Sequence, residues 1–200
     1  MKRLPLIALL LAAPLLHAQP PAPPPGHDHT GPGGEIPGLK KELIAGITEA
    51  DFLKLGDKPK TAKITLVATF NAANYGMNFN GWSHGKAVYT IPKDWKVEVT
   101  FINPSPIAHS AIVVDREMVR KLQMGDPFFK GGSVPNPAVG LALTKAQFSF
   151  VADEAGEYAI ACGFPAHAMS GHWLALNVSE TAKVPTLQLG EGAPVKEAVK

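Results

Sequence analysis

From Ala62 to Val178 the chain is cut into short runs of alternating or β-branched residues, separated by glycine, proline and asparagine. That texture restricts the fold more than any other feature, because such runs form strands and the breakers between them form turns. The predicted strands are Ala62 to Phe70, Tyr75 to Phe79, Lys86 to Ile91, Val97 to Asn103, Ser110 to Val114, Ala146 to Val151, Glu157 to Cys162 and Trp173 to Val178. About eight strands of this length suit an all-β, two-sheet sandwich. Between Lys96 and Phe101 the alternation is clean, with Val97, Val99 and Phe101 on one face and Lys96, Glu98 and Thr100 on the other. One face of that sheet is therefore wet. Thr48 to Asp51, followed by Phe52, Leu53 and Leu55, predicts a short capped helix. A second short helix is expected within Asp115 to Met124, and a long loop over Gly125 to Gly140.

The two ends of the chain read differently. Lys2 and Arg3 precede an apolar run from Leu4 to Leu16, and Leu16-His17-Ala18 resembles the end of a secretory signal. Residues 1–18 are thus expected to be a signal peptide and the protein exported, periplasmic or on the outside of the cell envelope, or tethered to the membrane if the signal is not cleaved. The run is short for a bilayer span and carries Pro14, so stable insertion of the mature chain is not expected. Gln19 to Gly38 hold seven prolines and five glycines, a composition that cannot bury enough apolar surface to fold. Residues 19–40 are expected to be a flexible tether, and its His27 and His29 a solvated polar patch or a loose metal trap. One folded domain is expected over 41–180, with 181–200 a tail that lacks a convincing period and wanders over the surface.

Charge narrows the partners. The chain has 19 basic and 17 acidic residues. Loss of Lys2 and Arg3 with the signal leaves 17 of each. A basic stripe of the kind that binds nucleic acid is absent from the sequence, so nucleic acid is not an expected partner.

Cys162 is the only cysteine, so an exported chain cannot use it for an internal disulfide. It opens the segment Cys162-Gly163-Phe164-Pro165-Ala166-His167-Ala168-Met169-Ser170-Gly171-His172, which lies between two strand-like runs. Tyr158, Ile160 and Cys162 share one parity, and so do His172, Leu174, Leu176 and Val178, so both ends of this loop point into one core. A thiolate and an imidazole with four residues between them can hold one ion if the loop bends. A third donor is available at His109, at the proline-kinked entry to the Ser110 to Val114 strand. Two imidazoles and one soft thiolate select copper, whereas structural zinc sites normally use paired cysteines that this chain lacks.

With these residues in view, the chain from about Ala62 to Val178 resembles the sulfocyanin and rusticyanin branch of the cupredoxins. The stretches that carry the resemblance are Asn78-Phe79-Asn80-Gly81, Lys96 to Phe101, Pro106 to Val114 with His109, and the Cys-x4-His loop. It implies a Greek-key β-sandwich with one or two short helices, one copper ion near one end, and one-electron transfer between exported or membrane-bound redox proteins. The resemblance also implies that Ser110 ties the two ligand loops together by hydrogen bonds. In that branch a methionine follows the loop histidine after four residues, as the long axial ligand; here that position is His172. His172 is the axial candidate, and Met169, tightly spaced at two residues past His167, is a poor substitute. An axial imidazole favours Cu(II) and pulls the geometry from trigonal toward tetragonal.

Two other readings compete with an electron carrier. One is copper handling or tolerance in the periplasm, with the His27 and His29 tail serving capture. The other is a small-molecule-reactive red or green copper centre. His84 is expected to be exposed in a turn. Met77, Met118 and Met124 read as packing, as does Trp173. Trp82 lies near the metal end, while Phe164 and Pro165 are candidates for an apolar docking patch.

Overall fold

The computed structural model describes residues 36–196. The segment expected to be a signal peptide, most of the expected tether, and His27 and His29 lie outside the described residues. Ten strands follow one another along the chain: β1 (Leu53–Leu55), β2 (Thr61–Val67), β3 (Ala87–Pro92), β4 (Trp95–Asn103), β5 (Ile112–Asp115), β6 (Thr144–Ala152), β7 (Gly156–Ala161), β8 (Trp173–Ser179), β9 (Thr186–Leu189) and β10 (Val195–Lys196). They form two sheets, in the orders β1-β2-β4-β6 and β10-β9-β3-β8-β7-β5. Helical structure among the described residues is confined to short 3-10 turns. The all-β sandwich is therefore as expected.

The core lies between the sheets. Val97, Val99 and Phe101 of β4 are at most 1% exposed, and they meet Tyr89 and Ile91 of β3, Ile160 of β7, and Leu174 and Leu176 of β8 in one apolar cluster. Burying each such side chain contributes roughly 1.5–3 kcal/mol. Lys96, Glu98 and Thr100 lie on the other face, as the alternation requires, and Lys96 there pairs with Glu98 at 2.7 Å.

Strand β7 is covered on both faces. Ala159 and Ala161 turn away from the main core and pack with Ile112, Val114, Val119, Met124 and Ala168. The small alanines let the turn Arg116–Arg120 and the loop after Cys162 lie close over the sheet. Register then fixes the neighbourhood of the site: Ile112 pairs with Ala161, and Ala161 pairs with Trp173. The residues just before β5, just after β7 and just before β8 consequently share one end of the sandwich.

Three expectations are corrected. Tyr75 to Phe79 is not a strand: Ala73–Gly76 is a turn, with Asn74 and Tyr75 in the left-handed region at φ 49° and 56°. The Asn78 side chain binds the carbonyls of Asn71 and Ala73 at 2.9 and 2.7 Å, giving the backbone local partners in place of a ladder. The Thr48 to Leu55 helix shrinks to the turn Glu49–Asp51, whose Asp51 carboxylate accepts bonds from the Thr48 N–H and hydroxyl. Leu53–Leu55 instead pairs with β2, because Leu53 and Phe52 gain more from the core than a short helix would give. Finally, residues 186–189 do not wander: Thr186–Leu189 adds antiparallel to β3, with Leu187 5% exposed and facing the core.

Candidate metal centre

Each side chain of interest is placed by one of these strand ends. His109 lies in a bridge with Leu141, its N–H and carbonyl bonded to that residue at 3.1 and 2.8 Å. The proline-kinked loop before it is held by Asn103, fully buried at the end of β4. The Asn103 Nδ2 donates to the carbonyls of Ile107 and Leu141 at 2.8 and 2.6 Å, and its Oδ1 accepts from the Ser105 N–H at 2.9 Å. Sequence reasoning missed this residue, although an asparagine directly before Pro104 is a recognisable turn signal.

Cys162 follows β7 directly and is wholly buried. Its sulfur accepts the Ser110 N–H at 3.3 Å, and the Gly163 N–H donates to the Ser110 Oγ at 2.8 Å. Ser110 thus bridges the His109 segment and the cysteine loop. The loop folds back on itself through bonds from the His167 N–H to the Phe164 carbonyl at 3.2 Å and from the His172 N–H to the His167 carbonyl at 3.0 Å. Ala166 takes a left-handed φ of 67°, steadied by its N–H bond to the Leu122 carbonyl at 2.7 Å. Gly171, at φ 90°, leaves no room for a Cβ, which would fall about 2.1 Å from the His84 ring. His84 itself is exposed, outside the cluster, as expected.

His109, Cys162, His167 and His172 converge, with one donor atom from each all within 4.8 Å of one another. The Nδ1 atoms of His109 and His167 are 3.2 Å apart, and the Cys162 Sγ is 4.0 and 3.5 Å from them. Metal bonds of roughly 2.0–2.1 Å to nitrogen and 2.3 Å to sulfur would space three such donors by about 3.3–3.8 Å. The three are therefore close to the spacing one ion requires. His172 is fully buried, its ring 4.7 Å from that of His109 and 4.2 Å from that of Phe79. Among the described residues, the buried side-chain polar atoms with no hydrogen-bond partner are the Thr69 Oγ1 and both ring nitrogens of His172. An imidazole left unpaired at such depth costs about 1–3 kcal/mol. A metal bond is one interaction that could compensate it, and the soft donor set of the cluster suits copper.

Electrostatics agree with that use. Burial pushes His109 down to about 3, helped by the nearby His167 charge, and burial also lowers His167. His172 is pushed well below the usual imidazole range by burial, then by His109 and His167; the Asn78 backbone acts weakly in the opposite sense but lies outside hydrogen-bond geometry. All three rings thus present free lone pairs. Burial raises the Cys162 thiol against the opposing Ser110 N–H bond, so metal binding must displace its proton.

His167 is only partly buried, with the Phe164 ring 4.6 Å from its own. Ile107, Val139 and Met169, exposed at 58%, 69% and 54%, lie on the loops around this end. Met169 thus stands at the surface. Met124 is packed under β7, Met118 lies against the same cluster, and Trp173 is packed there too. Trp82 packs on the main core.

The chain matches the sulfocyanin (SoxE) domain family over residues 49–124 and 139–188. A sulfocyanin of Sulfolobus acidocaldarius is 26% identical over 142 residues, spanning 63% of this chain and 67% of that protein. Among solved structures, reduced rusticyanin shares 19% identity at a TM-score of 0.43, covering 70% of this chain and 90% of its own. Auracyanin A, a "blue" copper protein from the green thermophilic photosynthetic bacterium Chloroflexus aurantiacus, shares 14% at a TM-score of 0.42, covering 60% and 99%. With more than half of the chain matched by that one family, and with two imidazoles, a thiolate and a third imidazole gathered at one end of a β-sandwich, the chain belongs to the sulfocyanin branch of the cupredoxins.

Proposed function

We propose that His109, Cys162 and His167 hold one copper ion, that His172 is its fourth donor, and that the protein carries single electrons between exported or membrane-bound redox partners. The observation that carries this reading is the His172 ring, wholly buried with neither nitrogen hydrogen-bonded, beside a thiol and two imidazoles at metal-bond spacing. When bound, copper supplies a one-electron Cu(I)/Cu(II) couple.

The protein's own groups do the rest. Asn103, Ser110 and the Leu141 bridge fix the donors before any metal arrives, so little rearrangement accompanies a change of charge. Burial of Cys162, His109 and His172 keeps water from the ion, which favours an electron carrier over a site that must exchange copper or bind a small molecule. The partly exposed His167 offers the short route to the surface, and Phe164 and Pro165 beside it provide an apolar contact for brief docking. No helix among the described residues is long and apolar enough to cross a membrane. Export rests on the basic and apolar start of the chain.

Optical and EPR spectra of the copper-loaded protein beside His172→Met test the axial assignment. Wild type is expected to be shifted from blue toward green with a rhombic or tetragonal EPR signal, and His172→Met to return to an intense blue form with a raised potential. Identical spectra and potentials would remove His172 from the metal.

A further inference from the structure

The segment 69–85 crosses the His172 side of the centre and carries an unusual concentration of left-handed residues. Thr69, Asn74, Tyr75, Asn80 and His84 all have φ between 49° and 56°, and none is glycine. Such conformations cost about 1–2 kcal/mol each and persist only when the surroundings impose them. In this segment two buried asparagines impose them. Asn78, fully buried, accepts the N–H groups of Phe70 and Gly81 on its Oδ1 and donates to the carbonyls of Asn71 and Ala73. Asn80, 3% exposed, accepts the Val67 N–H at 2.7 Å and donates to the Thr65 carbonyl and the Tyr89 hydroxyl at 2.9 and 3.2 Å, so it grips both sheets.

The residue between them is Phe79. Its backbone bridges to Ala68 and Trp82, its side chain is wholly buried, and its ring centroid is 4.2 Å from that of His172, at 44°. The face of His172 toward Phe79 has no hydrogen bond to hold it, and His109 meets the same ring edge-on at 4.7 Å. Two buried amides and a strained turn thus converge on one task, the placing of a phenyl ring against an imidazole that has no polar anchor of its own.

We propose that Phe79 is the positioning residue of the axial donor: it clamps His172 against the metal pocket and closes that side to water and small anions. This rests on the assignment of His172 as the fourth donor. Truncating the ring would let His172 turn and would open a coordination position.

The test uses the copper-loaded full chain as wild type, Phe79→Leu, Phe79→Ala and His172→Met, with azide as the probe and thermal unfolding of each metal-free form as the check on folding. Wild type is expected to show no azide-dependent change in its EPR signal. Phe79→Ala is expected to show a mixed or shifted EPR signal without azide, and roughly tenfold or tighter azide binding. Phe79→Leu, which keeps apolar bulk but loses the flat ring, is expected to move the same way by less. A folded Phe79→Ala with the wild-type EPR signal and no azide response would overturn the proposal, as would azide binding by wild type. If Phe79→Ala does not fold, the same two readings on Phe79→Leu decide it. Failure of the axial assignment shows separately, as a His172→Met protein spectroscopically identical to wild type.

Discussion

His109 is held down to about 3 by burial, and His172 lies well below its ordinary range for the same reason, so both rings stay neutral in the folded, metal-free chain. An unfolded imidazole titrates near 6.5, so below that pH the unfolded chain takes up protons that the folded chain excludes. The stability these rings permit is whole above about pH 6.5 and is lost progressively as pH falls toward the folded value. Metal-free protein is expected to lose about 2 kcal/mol through His109 on going from about pH 7 to pH 5, with a further loss in the same direction through His172. Copper should not remove that dependence, because the unfolded chain still takes up the same protons, and the Cys162 proton displaced on binding adds to it. Denaturant midpoints of the metal-free protein that stay constant over this range would contradict it. The clustering of these side chains was legible in the sequence, because parity put Cys162 and His172 on core-facing positions and a proline-kinked strand entry offered His109. Phe79 was visible only as part of Asn78-Phe79-Asn80-Gly81, since nothing local says that a phenylalanine between two buried asparagines will meet a ring 93 positions later.

Between β4 and β5 the chain makes its turn through Pro104 and Pro106, and one amide governs it. Asn103→Ala removes the donor shared by the Ile107 and Leu141 carbonyls and leaves both without that partner. It is expected to cost roughly 2–4 kcal/mol in thermal or denaturant unfolding and to weaken copper affinity by loosening His109. A variant as stable as wild type that binds copper equally well would show that the Leu141 bridge suffices alone. The long strands were readable at this scale: β3, β4, β6, β7 and β8 fall within two residues of the runs expected for them. The errors share a cause. Tyr75 to Phe79, Leu53 to Leu55 and Thr186 to Leu189 are too short for periodicity to decide, and side-chain amides or a neighbouring strand edge determined their form.

Taken as a whole molecule, the sandwich brings four uncharged segments to its metal end, with Asp126 lining the groove beside Gly163 and Val139. Segments 71–85, 103–110, 133–143 and 162–172 contain no Asp, Glu, Lys or Arg, while the outer face of the β1-β2-β4-β6 sheet carries the Lys54–Asp51, Lys63–Asp57 and Lys96–Glu98 pairs. Association through the metal end has little charge to steer it. Electron self-exchange, followed by NMR line broadening, is expected to change by less than about threefold between roughly 0.01 M and 0.15 M salt. A steep dependence would place the electron port elsewhere on the surface. Burial of Cys162 has a further consequence for the life history of the chain. Two folded copies cannot bring their lone sulfurs together, so covalent dimers formed under oxidising conditions can arise only from chains that have not yet closed around theirs, and the amount of cross-linked protein becomes a record of how slowly the chain folds.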